Sequence, residues 1–192
     1  MDQGISMDEF TVRALLEKHH VAGYGWTLSC CSRDPGLAED ILQTVYLKIL
    51  QGKARYNGRA SFRTWLFSVI RKTAVEERRR SFFRRLKLRE YEQQSQQMNP
   101  HGSFVQGIAA SEELSMFQEA LTALPKRQQE VLHLVFYQDL AVQEAAHIMG
   151  VSLGSARTHY ERGKRRLRES LQGTEAFYDR ESRRDTDSTA LP

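Results

Sequence analysis

The stretch that decides the fold is Leu140–Leu171, LAVQEAAHIMGVSLGSARTHYERGKRRLRESL. Its spacing predicts two helices joined by a tight turn. The first spans Val142 to Met149 and carries Ala145, Ala146 and Ile148. Gly150 then supplies the left-handed backbone that a short inter-helix turn needs. Ser152 is placed to cap a second, longer helix. In that helix Leu153, Ala156, Tyr160, Gly163, Leu167 and Leu171 recur at steps of three and four, which makes one buried stripe. Its other faces carry Arg157, Thr158, His159, Glu161, Arg162, Lys164, Arg165, Arg166 and Arg168. A helix apolar on one side and basic on the others fits the DNA major groove. The plain alternative is an amphipathic hairpin with a solvated basic face. The small-residue turn before a capped, basic helix favours a DNA-binding helix-turn-helix.

The charge of the whole chain adds little to this. Its 192 residues hold 28 Lys and Arg against 24 Asp and Glu, a net charge of +4. Distribution says more, because the cations gather at Arg71–Arg89 and Arg157–Arg168, and clustered charge of one sign attracts phosphate. The two cysteines, Cys30 and Cys31, are adjacent, with no others to pair with or to complete a zinc set. They are expected to be small buried hydrophobes. No apolar run approaches the 18 residues of a membrane span, and no signal peptide is apparent, so a cytoplasmic protein is expected.

Met1–Met7 is expected to be frayed. From Asp8 to Leu28 the apolar residues Phe10, Val12, Leu15, Leu16, Val21, Tyr24 and Leu28 predict a helix with a break around Gly23 and Gly25. His19 and His20 lack acidic or cysteine partners at ligand spacing, so a surface or helix-end role is expected. Ser32–Gly36 reads as a turn. In LAEDILQTVYLKIL, Leu37–Leu50, the residues Leu37, Ala38, Ile41, Leu42, Val45, Tyr46, Ile49 and Leu50 form a double row. Glu39, Asp40, Gln43, Thr44 and Leu47 lie away from it. The helix dipole accounts for the two acids. It does not account for Leu47, which points to a docking protein.

The loop Gln51–Ala60 places Lys53, Arg55, Tyr56 and Arg59 together. These could grip a backbone and stack a base, or form an ordinary polar connection. Ser61 caps a helix whose core stripe is Phe62, Trp65, Leu66, Val69, Ile70 and Ala74, with Arg63, Thr64, Arg71 and Lys72 facing elsewhere. Arg71, Lys72, Arg78, Arg79, Arg80, Arg84, Arg85, Lys87 and Arg89 are opposed only by Glu76 and Glu77. So lopsided a charge suits a polyanion partner. Glu90–Gly107 is polar and Gln-rich and reads as a linker. A helix starts at Ser111–Glu113 and carries Leu114, Phe117, Ala120, Leu121 and Leu124. Pro125 opens another, with Val131, Leu132, Val135 and Phe136 on its apolar face. The tail beyond Gln172 is charged and expected to be mobile.

LAEDILQTVYLKIL, then RYNGRASFRTWLFSVIRKTAVEERRR, then LPKRQQEVLHLVFYQDLAVQEAAHIMGVSLGSARTHYERGKRRLRESL, in that order, resemble bacterial RNA polymerase sigma factors of the extracytoplasmic-function group. The resemblance covers about Phe10 to Leu171. It implies an all-α chain of two small helical domains. A sigma-2-like domain over 8–85 and a sigma-4-like helix-turn-helix domain over 110–172 would be joined by a flexible linker over 86–109, with a mobile tail at 173–192. By the same resemblance, Glu39, Asp40, Gln43 and Leu47 dock on the clamp coiled coil of the polymerase largest subunit, and the flap of the second-largest subunit is a further contact. Asn57, Gly58, Arg59, Ser61, Arg63, Arg71 and Lys72 would bind the promoter −10 element, with a base flipped from the stack so that its edge can be read. Ser155, Arg157, Thr158, His159, Glu161, Arg162 and Arg165 would read the −35 element. The implied partners are core RNA polymerase, promoter DNA and an anti-sigma factor, serving an environmental-response regulon. No catalysis, cofactor, metal or small-molecule substrate is implied.

Two other classes compete with this one. A helix-turn-helix regulator binding a duplex operator as a dimer would carry a ligand pocket, a phosphoacceptor or a dimer helix in its first half, which instead offers a basic, aromatic-bearing helix and an exposed leucine. An enzyme acting on nucleic acid would need clustered carboxylates or a metal set. Glu39–Asp40 and Glu76–Glu77 are adjacent pairs on different helices.

Overall fold

The computed structural model describes residues 8–91, 117 and 119–171, with the backbone alone for 86–91. Among these residues all regular structure is helical. The expected frayed start, the linker beyond Tyr91, the helix start at Ser111–Glu113 and the mobile tail lie outside the described residues.

The N-terminal module is built from α1 (Glu9–Lys18), α2 (His20–Cys30), α3 (Pro35–Leu50) and α4 (Phe62–Tyr91). The Asp8 carboxylate accepts from the Thr11 amide at 2.7 Å and caps α1. The chain breaks at His19, not at Gly23 and Gly25 as expected; both glycines lie inside α2. Gly23 is buried within reach of the Ile70 and Leu42 side chains. Such packing outweighs a helix penalty of about 1 kcal/mol for glycine. Phe10 and Val21, expected on the apolar face, are exposed, whereas Trp26 is fully buried. The Trp26 indole Nε1 donates to the Phe67 carbonyl at 3.0 Å and ties α2 to α4.

Helix α3 begins two residues before the expected Leu37. Pro35 takes its first turn, and Asp34 accepts from the Leu37 amide at 3.0 Å. Ala38, Ile41, Leu42, Val45 and Ile49 are buried as expected, whereas Leu37 and Leu50, at the ends of the row, are exposed. Lys48 clamps α3 to α4 through Thr73 (3.2 Å) and Glu76 (2.9 Å). Ser61 caps α4, its hydroxyl accepting from the Thr64 amide at 3.1 Å. Phe62, Leu66, Ile70 and Ala74 are buried as expected, and Trp65 and Val69 are half-buried. Phe67 and Thr64, off that stripe, are buried as well. Helix α4 thus has a second covered face. It also runs on as helix to Tyr91, past residue 85.

The C-terminal module covers that face. Helix α5 (Lys126–Leu132) runs directly into a wider π turn, His133–Tyr137, followed by α6 (Val142–Met149) and α7 (Leu153–Leu171). Pro125 stands at the cap position of α5, one residue before the helix. The π turn shifts the side-chain register. Leu134 is therefore fully buried and Phe136, expected on the apolar face, is 55% exposed. The helix-turn-helix is as expected: α6 ends at Gly150 with φ +63, and Ser152 Oγ accepts from the Ser155 amide at 3.1 Å. Ala156, Gly163, Leu167 and Leu171 are buried on α7. One hydrophobic cluster runs from Leu16, Trp26, Val45 and Phe67 into Val131, Leu134, Leu140, Ala145, Ile148 and Met149, across both modules. A smaller one joins Leu124, Leu132, Leu167 and Leu171.

At Gly163, α7 crosses α5 with no room for a side chain: an added Cβ would meet Leu132 Cδ1 at 3.0 Å and Gln128 Cβ at 3.3 Å. Gly163→Val should overpack this crossing and lower unfolding stability by about 1–3 kcal/mol, read as a lower denaturant midpoint by far-UV circular dichroism. An unchanged midpoint would mean that the crossing is looser than described.

Candidate nucleic-acid interface

On α7 the buried stripe fixes what the opposite side presents. Ser155, Arg157, Thr158, Glu161, Arg162 and Arg165 are exposed and His159 is half-buried, so the expected reading residues form one accessible surface. Ser155 and Thr158 are held locally: the Ser152 hydroxyl donates to Ser155 Oγ at 2.9 Å, and the Thr158 hydroxyl donates to the Gly154 carbonyl at 2.9 Å. Glu161 and Arg165 make long pairs with Lys164 (3.9 Å) and Glu169 (3.8 Å). Arg157 and Arg162 have no ion pair or hydrogen bond among the described residues. Five fixed-direction donors on each guanidinium thus stand open at the helix surface, the geometry that matches a guanine edge or a phosphate.

A second feature lies between α2 and α3. An open groove of about 600 Å³ is lined by His20, Tyr24, Glu39, Leu42, Gln43, Tyr46, Leu47 and Leu50. Glu39, Gln43 and Leu47 of the expected docking set border it; Asp40 is exposed on the same helix but outside the lining. Leu47 is 50% exposed and Leu50 42%. Tyr46 is oriented by a 3.0 Å hydrogen bond between its hydroxyl and His20 Nδ1. Sequence reasoning placed Leu50 and Tyr46 in the core stripe, Tyr24 on the apolar face of the first helix and His20 in a surface or helix-end role; the position of Leu50 one turn beyond Leu47 is the signal it passed over. The apolar floor, with Glu39 on its border, suits a helical partner with apolar residues and a cation.

The seven residues expected to hold the −10 strand do not form one open face. Asn57, Gly58, Arg59 and Ser61 lie on the loop before α4. The Arg59 amide donates to Asn57 Oδ1 at 3.2 Å, and Gly58 adopts φ +73. Behind the loop the Tyr56 hydroxyl donates to the Ala60 carbonyl at 2.6 Å, and Tyr56, Phe62 and Trp65 form an aromatic cluster with centroids 5.2–5.6 Å apart. Lys72 is exposed. Arg63 and Arg71 are covered. Arg63 donates from Nη2 to the Gln138 carbonyl (2.6 Å) and Gln138 Oε1 (2.9 Å), with its guanidinium 5.4 Å from the Phe67 ring centre. Arg71 donates from Nε and Nη2 to Glu130 Oε2, both at 3.3 Å, with 14% of its side chain exposed and 6% of that of Glu130.

Glu130, Gln138 and Glu144 were not singled out from the sequence, yet they bind these α4 residues. Thr64 donates to Glu144 Oε1 at 3.0 Å, while Glu144 Oε2 accepts from the Ala141 amide at 3.1 Å. Beside them, Lys126 donates to the Ser29 carbonyl at 2.7 Å, and burial holds its ammonium below the usual lysine range. Cys30 and Cys31 are buried as expected, and burial pushes both thiols up, Cys31 to about 11. His133 lies between Trp26 (5.4 Å between ring centroids) and Tyr137 (5.3 Å). Burial pulls its imidazole down to about 4, with the nearby Arg33 and Lys126 adding to the shift.

These pieces define a helical nucleic-acid-binding protein of two modules: a helix-turn-helix with an open basic face, and a basic helix headed by an aromatic-backed loop. Residues 15–82 match the family description "Sigma-70 region 2" and residues 114–167 match "Sigma-70, region 4", in that order. The chain belongs to the sigma-70 family of RNA polymerase sigma factors, in its extracytoplasmic-function group. It is thus a promoter-recognising initiation subunit that works on core polymerase. It is 27% identical over 166 residues to the extracytoplasmic-function sigma factor SigX of Bacillus subtilis (strain 168), covering 85% of each chain. It is 29% identical over 137 residues to the sigma factor YlaC of the same strain, covering 70% of this chain and 77% of that one. Its fold is similar to that of the sigma factor RpoE crystallised with the anti-sigma factor NepR from Bartonella quintana, with a TM-score of 0.64 at 22% identity, over 84% of this chain and 97% of that one.

The buried, neutral His133 sets a pH dependence. The unfolded chain takes up a proton on it near its ordinary value of 6.5, but the folded chain only near 4. Its contribution to stability is therefore complete above pH 6.5 and lost as pH falls toward 4. The loss is at most about 3 kcal/mol. His133→Phe keeps a ring against Trp26 and should flatten this part of the stability–pH curve. The check is denaturant unfolding between pH 7 and 4, followed by tryptophan fluorescence; identical slopes for both proteins would remove the role assigned to His133.

Proposed function

We propose that the open face of α7 reads the promoter −35 element, while the Asn57–Ser61 loop and α4 hold the −10 strand. The observation that carries the first half is the pair Arg157 and Arg162: exposed, without partners among the described residues, and off the buried stripe of α7. Ser155, Thr158, His159, Glu161 and Arg165 complete the reading surface. Asn57, Gly58, Arg59 and Ser61 surround the flipped base, and Arg63, Arg71 and Lys72 hold phosphates. The α2–α3 groove, with Glu39, Gln43 and Leu47 on its border and Asp40 beside it, docks on the clamp coiled coil of the polymerase largest subunit. The flap of the second-largest subunit is a further contact. The protein would act in the cytoplasm, where core polymerase is, and would perform no catalysis of its own. An anti-sigma partner that covers one of these surfaces, and a regulon answering environmental change, complete the reading.

Run-off transcription with purified core polymerase on fragmented genomic DNA is the test. Specific transcripts should appear only when this chain is added, and their start sites should share −10 and −35 sequences. Arg157→Ala and Arg162→Ala should each weaken −35 recognition by about 1–3 kcal/mol for a bidentate contact, seen as a relaxed base preference. Unaltered promoter use by both would remove the reading role of α7. Leu47→Asp should weaken binding to core polymerase at least about tenfold and leave the circular dichroism spectrum unchanged. Equal affinity of the variant and the parent for core would refute the docking face. Promoter affinity should also fall steeply with salt.

A further inference from the structure

The far half of α4 takes no part in the core among the described residues. Ala74 is the last buried side chain of the helix there, and Arg78 ties it to α2 by donating to the Cys30 carbonyl at 2.8 Å. Beyond that tie, Ser81 and Arg84 bond back along α4, to the Arg78 carbonyl and to Glu77. The backbone nevertheless stays helical to Tyr91. Over Arg78–Arg85 the chain carries five arginines and no acid. In their midst Phe82 and Phe83 are 54% and 56% exposed and lie outside both hydrophobic clusters. Among the described residues their ring contact is with each other, at 6.0 Å between centroids. Single exposed apolar residues are ordinary on a protein surface, but an adjacent aromatic pair among cations marks a contact site.

We propose that this end of α4 lies on an anionic phospholipid surface, with Phe82 and Phe83 sunk below the headgroups and the neighbouring arginines on the phosphates. Helical periodicity turns each residue by about 100° from the last. Phe82 and Phe83 therefore share one side of α4, with Arg79 one turn before them. Arg85 stands on one flank of that side, and Arg80 and Arg84 on the other. An interfacial helix has this order, an apolar strip bordered by long cations whose heads reach the phosphate level. Glu77 partly offsets Arg80 and Arg84, at 3.9 and 2.7 Å. Arg79 and Arg85 are exposed and make no ion pair or hydrogen bond among the described residues, so phosphate meets them uncontested. A nucleic-acid strand would take the arginines but not the rings, because side chains about 100° apart on a helix cannot both stack on neighbouring bases. No helix among the described residues is long and apolar enough to cross a membrane, so the contact is one of lying on the surface. This end of α4 shares no residue with the α2–α3 groove or with the residues assigned to promoter DNA, so lipid contact and those roles stand or fall independently.

The test is co-flotation of the full chain with two kinds of vesicle, phosphatidylcholine alone and phosphatidylcholine mixed equally with phosphatidylglycerol. Affinity for mixed-sequence duplex DNA is measured alongside by fluorescence anisotropy. The chain should float with the mixed vesicles and stay behind with phosphatidylcholine alone. A Phe82→Ser/Phe83→Ser variant should lose at least about tenfold in vesicle affinity and keep its affinity for DNA. Arg79→Gln/Arg85→Gln should lose about fivefold for each cation removed. All four changes fall on exposed side chains, and equal denaturant midpoints establish that both variants are folded. Failure of the parent to float with the anionic vesicles overturns the proposal. So does a phenylalanine variant that floats as well as the parent, since charge alone would then account for the binding. A phenylalanine variant that loses affinity for DNA and not for vesicles also overturns it, and makes the surface a nucleic-acid contact.

Discussion

The burial of α4 on two opposite faces is the constraint from which the rest of this structure follows. A helix exposed on one side needs a single apolar stripe, and α4 has one in Phe62, Leu66, Ile70 and Ala74. It also buries Phe67, stacked against Trp26 of α2, and Thr64, which donates to Glu144 of the C-terminal module. Two of its cations, Arg63 and Arg71, lie where that module meets it. Covering them with an apolar surface alone would strand charge in a low-dielectric interior, which is strongly destabilising. The C-terminal module therefore brings oxygens to each covered cation: a carboxylate for Arg71, a carbonyl and an amide oxygen for Arg63.

The strength of this contact is divided between two kinds of interaction. Val131, Leu134, Leu140, Ile148 and Met149 extend the N-terminal core, and their burial supplies the non-directional part. The polar contacts fix which face of α4 is met and in what register, since hydrogen bonds tolerate little misalignment.

The helix-turn-helix obeys a different logic. Its geometry is set by small residues at close crossings, namely Gly150 in the left-handed turn, buried Ala146 and Ala156, and Gly163 against Leu132. These hold α7 against its neighbours and leave its basic face exposed. The contrast within one chain is physical: the open face of α7 is shaped by packing inside one module, and the covered face of α4 by packing between two.

Much of this was legible from the chain alone, wherever one helix met one neighbour at regular spacing. The α6–Gly150–α7 unit, the Ser61 cap, the buried row of α3 and the exposed Leu47 follow from periodicity, capping chemistry and the glycine turn, all of them local. The departures arise where a distant segment intervened. The π turn at His133–Tyr137 changed the side-chain period, which put Leu134 inside and Phe136 outside. Packing against Leu42 and Ile70 kept Gly23 within a helix, so the break fell at His19. Trp26 and Phe67 went to the core because α2, α4 and the C-terminal module converge there. The amino-acid order thus determined which residues carry positive charge and which can cap or turn a helix. Only the tertiary structure decided that Arg63 and Arg71 should be covered while Arg157 and Arg162 stay open, because that depends on oxygens arriving from residues some sixty to seventy-five positions away.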